Sequence, residues 1–135
     1  MRSVVVDTNV LAYFLLGVEP HGAGLAGRLR RCGMVMAPDL WRPELLNVLS
    51  MAVRTGRIDP ASAFELIGAS EGVVDRTVSS ADLAETALAL ALERGHAVYD
   101  TLFVALAVRD ECPLWTYDRA ILKRFPEVAV CPTSP

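Results

Sequence analysis

The sequence predicts an α/β fold in which helices cover both faces of a small central parallel sheet of about four to five strands. Short apolar runs of strand length alternate along the chain with apolar stretches of helix length. Strands separated by helices pair in parallel and are joined by right-handed crossovers, which gives three layers, α/β/α. The 135 residues fit one domain, and the 53% that are hydrophobic supply its core.

Helices and strands alternate in the first half of the chain. Three consecutive valines at residues 4–6 suit a strand that is buried on both faces. Glycines then mark helix ends, because glycine readily adopts the left-handed conformation found there. The predicted elements are a strand over residues 4–6, helices over 10–16 and 22–32, a strand over 34–37, and a helix over 39–55.

The second half of the chain carries clearer capping signals. Asp59 followed by Pro60 is typical of an N-cap and a first helical residue, and Ser79 with Asp82 forms a capping box. Gly95 then ends the helix that this box begins. The predicted elements are helices over residues 60–70, 83–94, 100–109 and 118–125, and strands over 113–117 and 128–131. Residues 1–131 are predicted to form the single domain, and residues 132–135 a short, loose C-terminal tail.

Composition excludes several classes of protein. Sixteen acidic and thirteen basic residues give a net charge of -3, which argues against wholesale attraction to nucleic acid or anionic lipid. Three cysteines without a C-x-x-C pair and only two histidines predict reduced thiols and no zinc site. The uncharged apolar stretch at residues 10–18 is far shorter than the roughly 20 residues of a membrane span. We expect a cytoplasmic protein with no membrane segment.

The charges are segregated along the chain. Residues 28–57 carry six arginines against two acids, a net charge of +4, whereas residues 59–93 carry seven acids against one arginine, a net charge of -6. Two interpretations stay open at this stage: solvated helix faces, or a surface that binds phosphate.

Four carboxylates are expected at one edge of the sheet. Asp7 and Asp118 each end a predicted strand, Glu44 lies early in the helix after the second strand, and Asp100 opens a helix. Parallel sheets bind ligands at the carboxyl ends of their strands, where helix N-termini also point. Each acid alone has an ordinary interpretation as a helix cap or a first-turn acid.

As a set, these four acids point to a metal. Carboxylates held close together repel one another and raise one another's pKa, so a compensating charge is needed. Mg²⁺ and Mn²⁺ prefer oxygen ligands and bind a few carboxylates together with substrate phosphate oxygens. Such ions promote phosphodiester hydrolysis by polarising a phosphoryl oxygen and activating water. The sequence therefore predicts a metal-dependent enzyme that acts on phosphodiesters.

The chain resembles the PIN-domain ribonucleases, and most closely the VapC-type toxins. The similarity spans residues 4 to about 122, and its motifs occur in the family's order and spacing. They are VVVDTNVL from residue 4, ELLNVL from residue 44, YDTLFVALA from residue 99 and TYDR from residue 116. The resemblance implies that the Mg²⁺ or Mn²⁺ site and the catalytic residues are Asp7, Glu44, Asp100 and Asp118.

The same resemblance implies a set of supporting residues and partners. Thr8, Asn9 and Thr116 would orient the carboxylates or water. The family also implies an RNA substrate, cleavage that leaves a 5′-phosphate, a homodimer and neutralisation by a cognate antitoxin. From their positions beside the acids, Arg42 and Arg119 are our candidates for contacts to RNA phosphates.

Other interpretations of the sequence remain. Residues 22–27 match G-x-G-x-x-G, but no strand precedes them directly, so we interpret these glycines as helix packing. The segment after the first strand is also similar to the nucleophile loop of aspartate-based phosphotransfer proteins, although Asn9 replaces that motif's second acid. A PIN-like module that binds RNA or protein without catalysis is a third possibility.

Two further features are expected to be structural. His96 lies near Asp100 and is interpreted as a structural histidine rather than as one that orients substrate. The helices around residues 83–92 and 102–108 have more apolar surface than a small monomer needs, which favours a dimer interface.

Overall fold

Five strands and seven helices alternate along residues 2–18 and 22–133, which are the parts of the chain that the computed structural model describes. In chain order they are β1 (Ser3–Val6), α1 (Thr8–Leu16), α2 (Gly22–Arg30), β2 (Met34–Pro38), α3 (Trp41–Arg54), α4 (Pro60–Glu71), β3 (Arg76–Val78), α5 (Ser80–Arg94), α6 (Val98–Arg109), β4 (Leu114–Trp115), α7 (Arg119–Arg124) and β5 (Ala129–Val130). His21, one of the two histidines, lies outside the described residues, as do Ser134 and Pro135 of the predicted tail.

The five strands form one parallel sheet in the order β3-β2-β1-β4-β5. Successive strands run outward from β1 to β3 and then return to the other side of β1. Right-handed crossovers therefore place α1 to α4 on one face and α5 to α7 on the other, so the predicted three-layer α/β/α fold is confirmed. The direction reverses between β1 and β4, which is where such sheets bind ligands.

The strand β3 was not identified from the sequence. It has only three residues, and Val78 is the only buried one among them. Its pairing with β2, in which Thr77 lies opposite Ala37, comes from the tertiary structure. Trp41 at the start of α3 reinforces this edge, because its indole Nε1 donates to the Thr77 hydroxyl at 2.9 Å.

Most of the capping predictions agree with the structure. Asp59 is the N-cap of α4 and accepts from the Ser62 amide at 2.7 Å. Ser79 is the N-cap of α5, but its hydroxyl accepts from the Ala81 amide rather than from the Asp82 amide that a capping box would use. Gly95 ends that helix with a left-handed φ of 61°. The start of α3 differs from the prediction: it begins at Trp41, because the Asp39 carboxylate instead accepts from the Ser80 amide at the start of α5.

The core lies on both faces of the sheet, and α6 is its most continuously buried helix. The valines of β1 are buried, and residues 101–107 of α6 are buried without interruption. A helix that is buried all round is covered on both sides, here by the sheet and by α5. The prediction that residues 102–108 contribute to a dimer interface is therefore wrong for residues 102–107. On α5, by contrast, Leu88 and Leu92 are exposed.

The glycine-rich segment of α2 packs against residues 132–133. Residues 22–27 lie inside α2, which follows another helix, so their G-x-G-x-x-G match is not the strand-to-helix loop that binds dinucleotides. A Cβ added at Gly24 would meet the Thr133 side chain at 3.5 Å. The carbonyl of Pro132 accepts from Arg28 at 2.6 Å, so the tail is held in place as far as residue 133 rather than loose.

Two expectations from composition concern membranes and thiols. No helix among the described residues is long and apolar enough to cross a membrane. The cysteines at positions 32, 112 and 131 are all free, in agreement with the reduced thiols that their number and spacing predict.

Candidate active site at the carboxyl edge of the sheet

Asp7 is the most buried acid of the predicted site. It follows β1 directly, caps α1 and is 8% exposed. Its Oδ1 accepts from the Thr8 amide at 2.8 Å, and its Oδ2 accepts from the Thr116 hydroxyl at 2.7 Å and from the Asn9 amide group at 3.4 Å. Both oxygens of the carboxylate are therefore fixed in position by the chain.

The charge of Asp7 is destabilised by its surroundings. Burial raises its pKa to about 6, and the hydrogen bonds from Thr116 and Thr8 oppose that rise. The nearby charges of Asp100 and Glu44 raise the pKa of Asp7 further. The structure thus brings three of the four predicted acids close enough to repel one another.

Glu44 reaches this site from α3. It lies in the first turn of that helix, where it is half-buried, and its Oε1 accepts from the Thr8 hydroxyl at 2.7 Å. Burial and the charge of Asp100 raise the pKa of Glu44, against the effect of the Thr8 hydrogen bond. Pro43 does not disturb the helix, because it is the third helical residue, where a backbone donor has no partner within the helix.

Asp100 is held by a contact that the sequence did not predict. It is the third residue of α6, and its Oδ2 lies 2.8 Å from Nε2 of His96. Arg124 Nη1 lies 3.2 Å from the other ring nitrogen, Nδ1, and donates to the Gly95 carbonyl at 2.7 Å. An arginine can only donate, so Nδ1 accepts and the ring proton lies on Nε2, where it donates to Asp100.

The side chain of His96 is buried, in agreement with its interpretation as a structural histidine, and its hydrogen bond also fixes the position of the Asp100 carboxylate. Its side chain is 5% exposed and packs edge-on against Phe125. The acids are predicted to hold Mg²⁺, and on that prediction we expect His96→Ala to weaken Mg²⁺ binding by about tenfold, because groups that orient metal ligands have effects of that size. His96→Gln should recover part of the loss, since its amide can donate to Asp100. An unchanged affinity for Mg²⁺ in His96→Ala would contradict this role.

Asp118 is tied to the site through its backbone amide, whereas its carboxylate caps a helix. It is the N-cap of α7, where its Oδ1 accepts from the amides of Ala120 and Ile121. Its own amide donates to the Thr116 hydroxyl, which in turn donates to Asp7. The side-chain oxygen of Asn9 accepts from the Tyr117 amide. The loop after β4 is thereby tied to the loop after β1.

The chain matches a known family over nearly its whole length. The family model of the PIN domain matches residues 4–128, which includes every residue described above as part of the site. The chain belongs to the PIN domain family. Among curated protein sequences, none matches it.

Solved structures share the fold of this PIN domain at low sequence identity. PAE2754 from Pyrobaculum aerophilum superposes with a TM-score of 0.74 at 23% identity, over 95% of this chain and 83% of that one. A toxin-antitoxin complex from Klebsiella pneumoniae gives 0.68 at 16% identity, over 98% and 99% of the two chains. VapBC2 from Rickettsia felis, bound to a DNA fragment from its promoter, gives 0.66 at 9% identity, over 95% and 97%.

The donor set of the PIN domain suits a hard cation that is only partly enclosed by protein. Within residues 2–18 and 22–133, no three Asp, Glu, His or Cys side chains are arranged to hold a metal ion by themselves. Mg²⁺ keeps several waters and is commonly bound through one or two carboxylates plus substrate phosphates. Asp7, Glu44 and Asp100 supply oxygen ligands whose mutual repulsion a cation would relieve.

The two arginines predicted to contact RNA differ in their surroundings. Arg42 donates from Nη2 and Nε to Glu71 at 2.7 and 2.9 Å and stacks over the Trp41 ring. This bidentate pair occupies the guanidinium edge that a phosphate would need. Arg119 is exposed at the start of α7, beside Asp118. Of the two, only Arg119 is presented to solvent in a form suited to a phosphate.

Proposed function

We propose that this PIN domain is a divalent-metal-dependent endoribonuclease and the toxin of a VapC-type toxin-antitoxin pair, acting in the cytoplasm. The observation that carries the proposal is Asp7, a buried carboxylate whose pKa is raised by burial and by the charges of Asp100 and Glu44. Such repulsion is costly unless a cation offsets it. The family match over residues 4–128 supports a nuclease, and the neighbouring toxin-antitoxin structures support the biological setting.

The proposed mechanism assigns distinct tasks to the residues of this edge. Asp7, Glu44, Asp100 and Asp118 would hold Mg²⁺ or Mn²⁺, which when bound supplies a Lewis acid for the phosphoryl oxygen and activates water. Thr8, Asn9 and Thr116 fix the direction of the carboxylates through the hydrogen bonds described above. The half-buried Glu44 and Asp100 leave the edge open to an RNA strand.

A cognate antitoxin protein is proposed as the second partner. Two of the structural neighbours are toxin-antitoxin assemblies. On this chain, α3 and α4 leave an apolar groove of about 320 Å³ that is large enough for apolar side chains of another protein. Its lining includes Leu46, Leu49, Val53, Phe64 and Ile67. An adjacent small gene whose product co-purifies with this chain and inhibits it would support the pairing.

A homodimer is proposed through the outer face of α5. Leu88 and Leu92 are four residues apart on one side of this helix and are 52% and 76% exposed. We expect Leu92→Glu to shift the sedimenting mass from two chains to one, because a charge would then be buried at the interface. Phe64→Glu is the matched control, since Phe64 is also 76% exposed but lies on α4. A wild-type chain that sediments as a monomer would contradict the dimer.

The proposed function is tested with purified wild-type chain and a labelled single-stranded RNA. Cleavage is expected in Mg²⁺ or Mn²⁺, with 5′-phosphate products, and no cleavage is expected in EDTA. Restoring activity by adding metal back distinguishes chelation from damage to the protein. RNA that stays intact in metal but is still bound would favour a catalytically silent PIN module instead. A stable aluminium or beryllium fluoride adduct on Asp7 would favour aspartate-based phosphotransfer.

A further inference from the structure

A second polar site lies on the face of the sheet that α2 covers, away from the carboxylates. Arg2, Arg28 and Arg31 line an open depression of about 350 Å³ together with Cys32 and Trp115. We call this feature the arginine pocket. Arg2 precedes β1, the two other arginines lie at the end of α2, and Trp115 is in β4. Within residues 2–18 and 22–133, no acidic side chain lines this depression.

The cations of the arginine pocket are available to a ligand. Among the described residues, none of these three arginines has a carboxylate within 4 Å, whereas Arg42, Arg94 and Arg109 are all ion-paired. The charges of Arg28 and Arg31 both act on the Cys32 thiol, whose pKa is raised chiefly by burial and lowered by these two guanidinium groups. Arg28, Arg31 and Cys32 also line the same depression.

Arg28 is already held in place before any ligand binds. Its guanidinium lies 4.9 Å from the centroid of the Trp115 ring, and Nη1 donates to the Pro132 carbonyl at 2.6 Å. An arginine fixed in this way loses little freedom on binding, and its planar fork suits the paired oxygens of a phosphate. Trp115 is only 6% exposed, so its ring supports the arginine and is not a platform on which a base could stack.

The position of the pocket relates it to the carboxylate edge. Trp115 directly precedes Thr116, whose hydroxyl donates to Asp7, and successive side chains of a strand point to opposite faces. Arg2 lies five residues before Asp7 along β1, about 16 Å at the rise of an extended strand. The pocket therefore lies toward the amino ends of β1 and β2, about 16 Å from the carboxylate edge, a distance that a single strand of a few nucleotides spans.

We infer that the arginine pocket binds the phosphodiester backbone of RNA away from the cleavage site. The inference rests on the proposed function for the identity of the polymer. It resolves the conflict between a net charge of -3 and a polyanionic substrate, because three cations without a carboxylate partner among the described residues are concentrated in one depression away from the acids. Contacts to backbone phosphates do not depend on the identity of the bases, so they increase the affinity for RNA without a base preference.

The test measures binding of a labelled single-stranded RNA over a range of salt concentrations. The Asp7→Asn chain is used as background, so that cleavage does not interfere. Adding Arg2→Gln and Arg31→Gln should weaken binding about tenfold at low salt and reduce the slope of log affinity against log salt by about 1.4, the value for two phosphate contacts. Arg28 is left unchanged because its contacts to Trp115 and Pro132 also stabilise the fold.

The matched control is the pair Arg30→Gln and Arg57→Gln. Both residues are exposed arginines outside the pocket, so this variant loses the same two charges. Its affinity and salt slope should stay near those of the background chain. An equal loss in both double variants, or no loss in the pocket variant, would overturn the inference. Undiminished RNA binding together with lost binding of an oligoglutamate peptide would also overturn it and assign the pocket to an acidic protein segment.

Failure of this inference is distinguishable from failure of the proposed function. If the wild-type chain cleaves RNA and the pocket variant binds RNA normally, the role of the arginine pocket is ruled out and the proposed nuclease stands. If the wild-type chain binds RNA through the pocket but does not cleave it in the presence of Mg²⁺ or Mn²⁺, the nuclease activity is ruled out and the role of the pocket stands.

Discussion

Asp7→Asn is expected to reduce metal-dependent RNA cleavage by at least about 10³-fold, a loss of roughly 4 kcal/mol of transition-state stabilisation. Asp7 is the acid that the chain fixes most firmly, because both of its oxygens accept short hydrogen bonds. An amide can still accept from the Thr8 backbone but provides no negative charge for a cation. The measurement is the initial rate of RNA cleavage at saturating Mg²⁺.

The same variant is expected to be at least as stable as wild type in EDTA at neutral pH. The difference between a pKa of about 6 and the ordinary value of 3.8 corresponds to about 3 kcal/mol. The folded state holds this proton more tightly than the unfolded state does. Wild type therefore loses stability as pH rises from about 4 to about 6, and the asparagine variant lacks that loss.

Metal should reverse this order of stability. Wild type gains stability by binding the cation, about 2.7 kcal/mol at a concentration of a hundred times Kd, and Asp7→Asn should gain much less. Chemical denaturation with and without Mg²⁺ measures both quantities. Asp82→Asn, a change at an exposed first-turn acid of α5, is the matched control. Undiminished cleavage by Asp7→Asn, in protein freed of contaminating nuclease, would rule out the proposed mechanism.

Asp100→Asn is expected to separate cleavage from RNA binding. Its rate of cleavage should fall by about a hundredfold or more, because the variant loses a charged oxygen ligand that faces partly into solvent. RNA affinity in EDTA should be equal or higher, since a negative charge near the phosphates is removed. The asparagine oxygen can still accept from His96, so the fold at the start of α6 should be retained.

This variant also tests the electrostatic coupling within the site. The charge of Asp100 raises the pKa of both Asp7 and Glu44. Removing that charge should lower the pKa of Asp7, so the pH range over which the folded state loses stability should move down. Titration of the Asp7 carboxyl by NMR measures the change directly. A pKa that does not move would show that the two carboxylates are too far apart to share a cation.

Much of the fold was predictable because its signals are local. The valines of β1, the Asp59-Pro60 pair and Gly95 each specify a conformation through their own backbone and burial preferences. The strand β3 was missed because three residues carry too little periodicity, and only its pairing with β2 makes it a strand. The apolar run in α6 was assigned in part to a dimer surface because sequence does not tell which side of a helix is already covered.

In the candidate site, too, the positions of the acids were predictable from the sequence, whereas the pairing of its charges was not. The order of Asp7, Glu44, Asp100 and Asp118 along strands and helices already favoured a shared edge, and the family match over residues 4–128 agrees with that order. Whether Arg42 was free for phosphate depended on Glu71, which is 29 residues away in the chain. The contact between Arg124 and His96 spans a similar separation.

By itself, the sequence determined which groups ionise, which residues cap helices and which segments are apolar, because these are properties of single residues and their immediate neighbours. The tertiary structure decided which charges are paired, which are buried and which are left for a ligand. Packing buries Asp7 and so raises its pKa, and it leaves Arg2 and Arg31 without a carboxylate among the described residues. Burial and pairing depend on residues distant in the chain, so they are set only when the sheet forms.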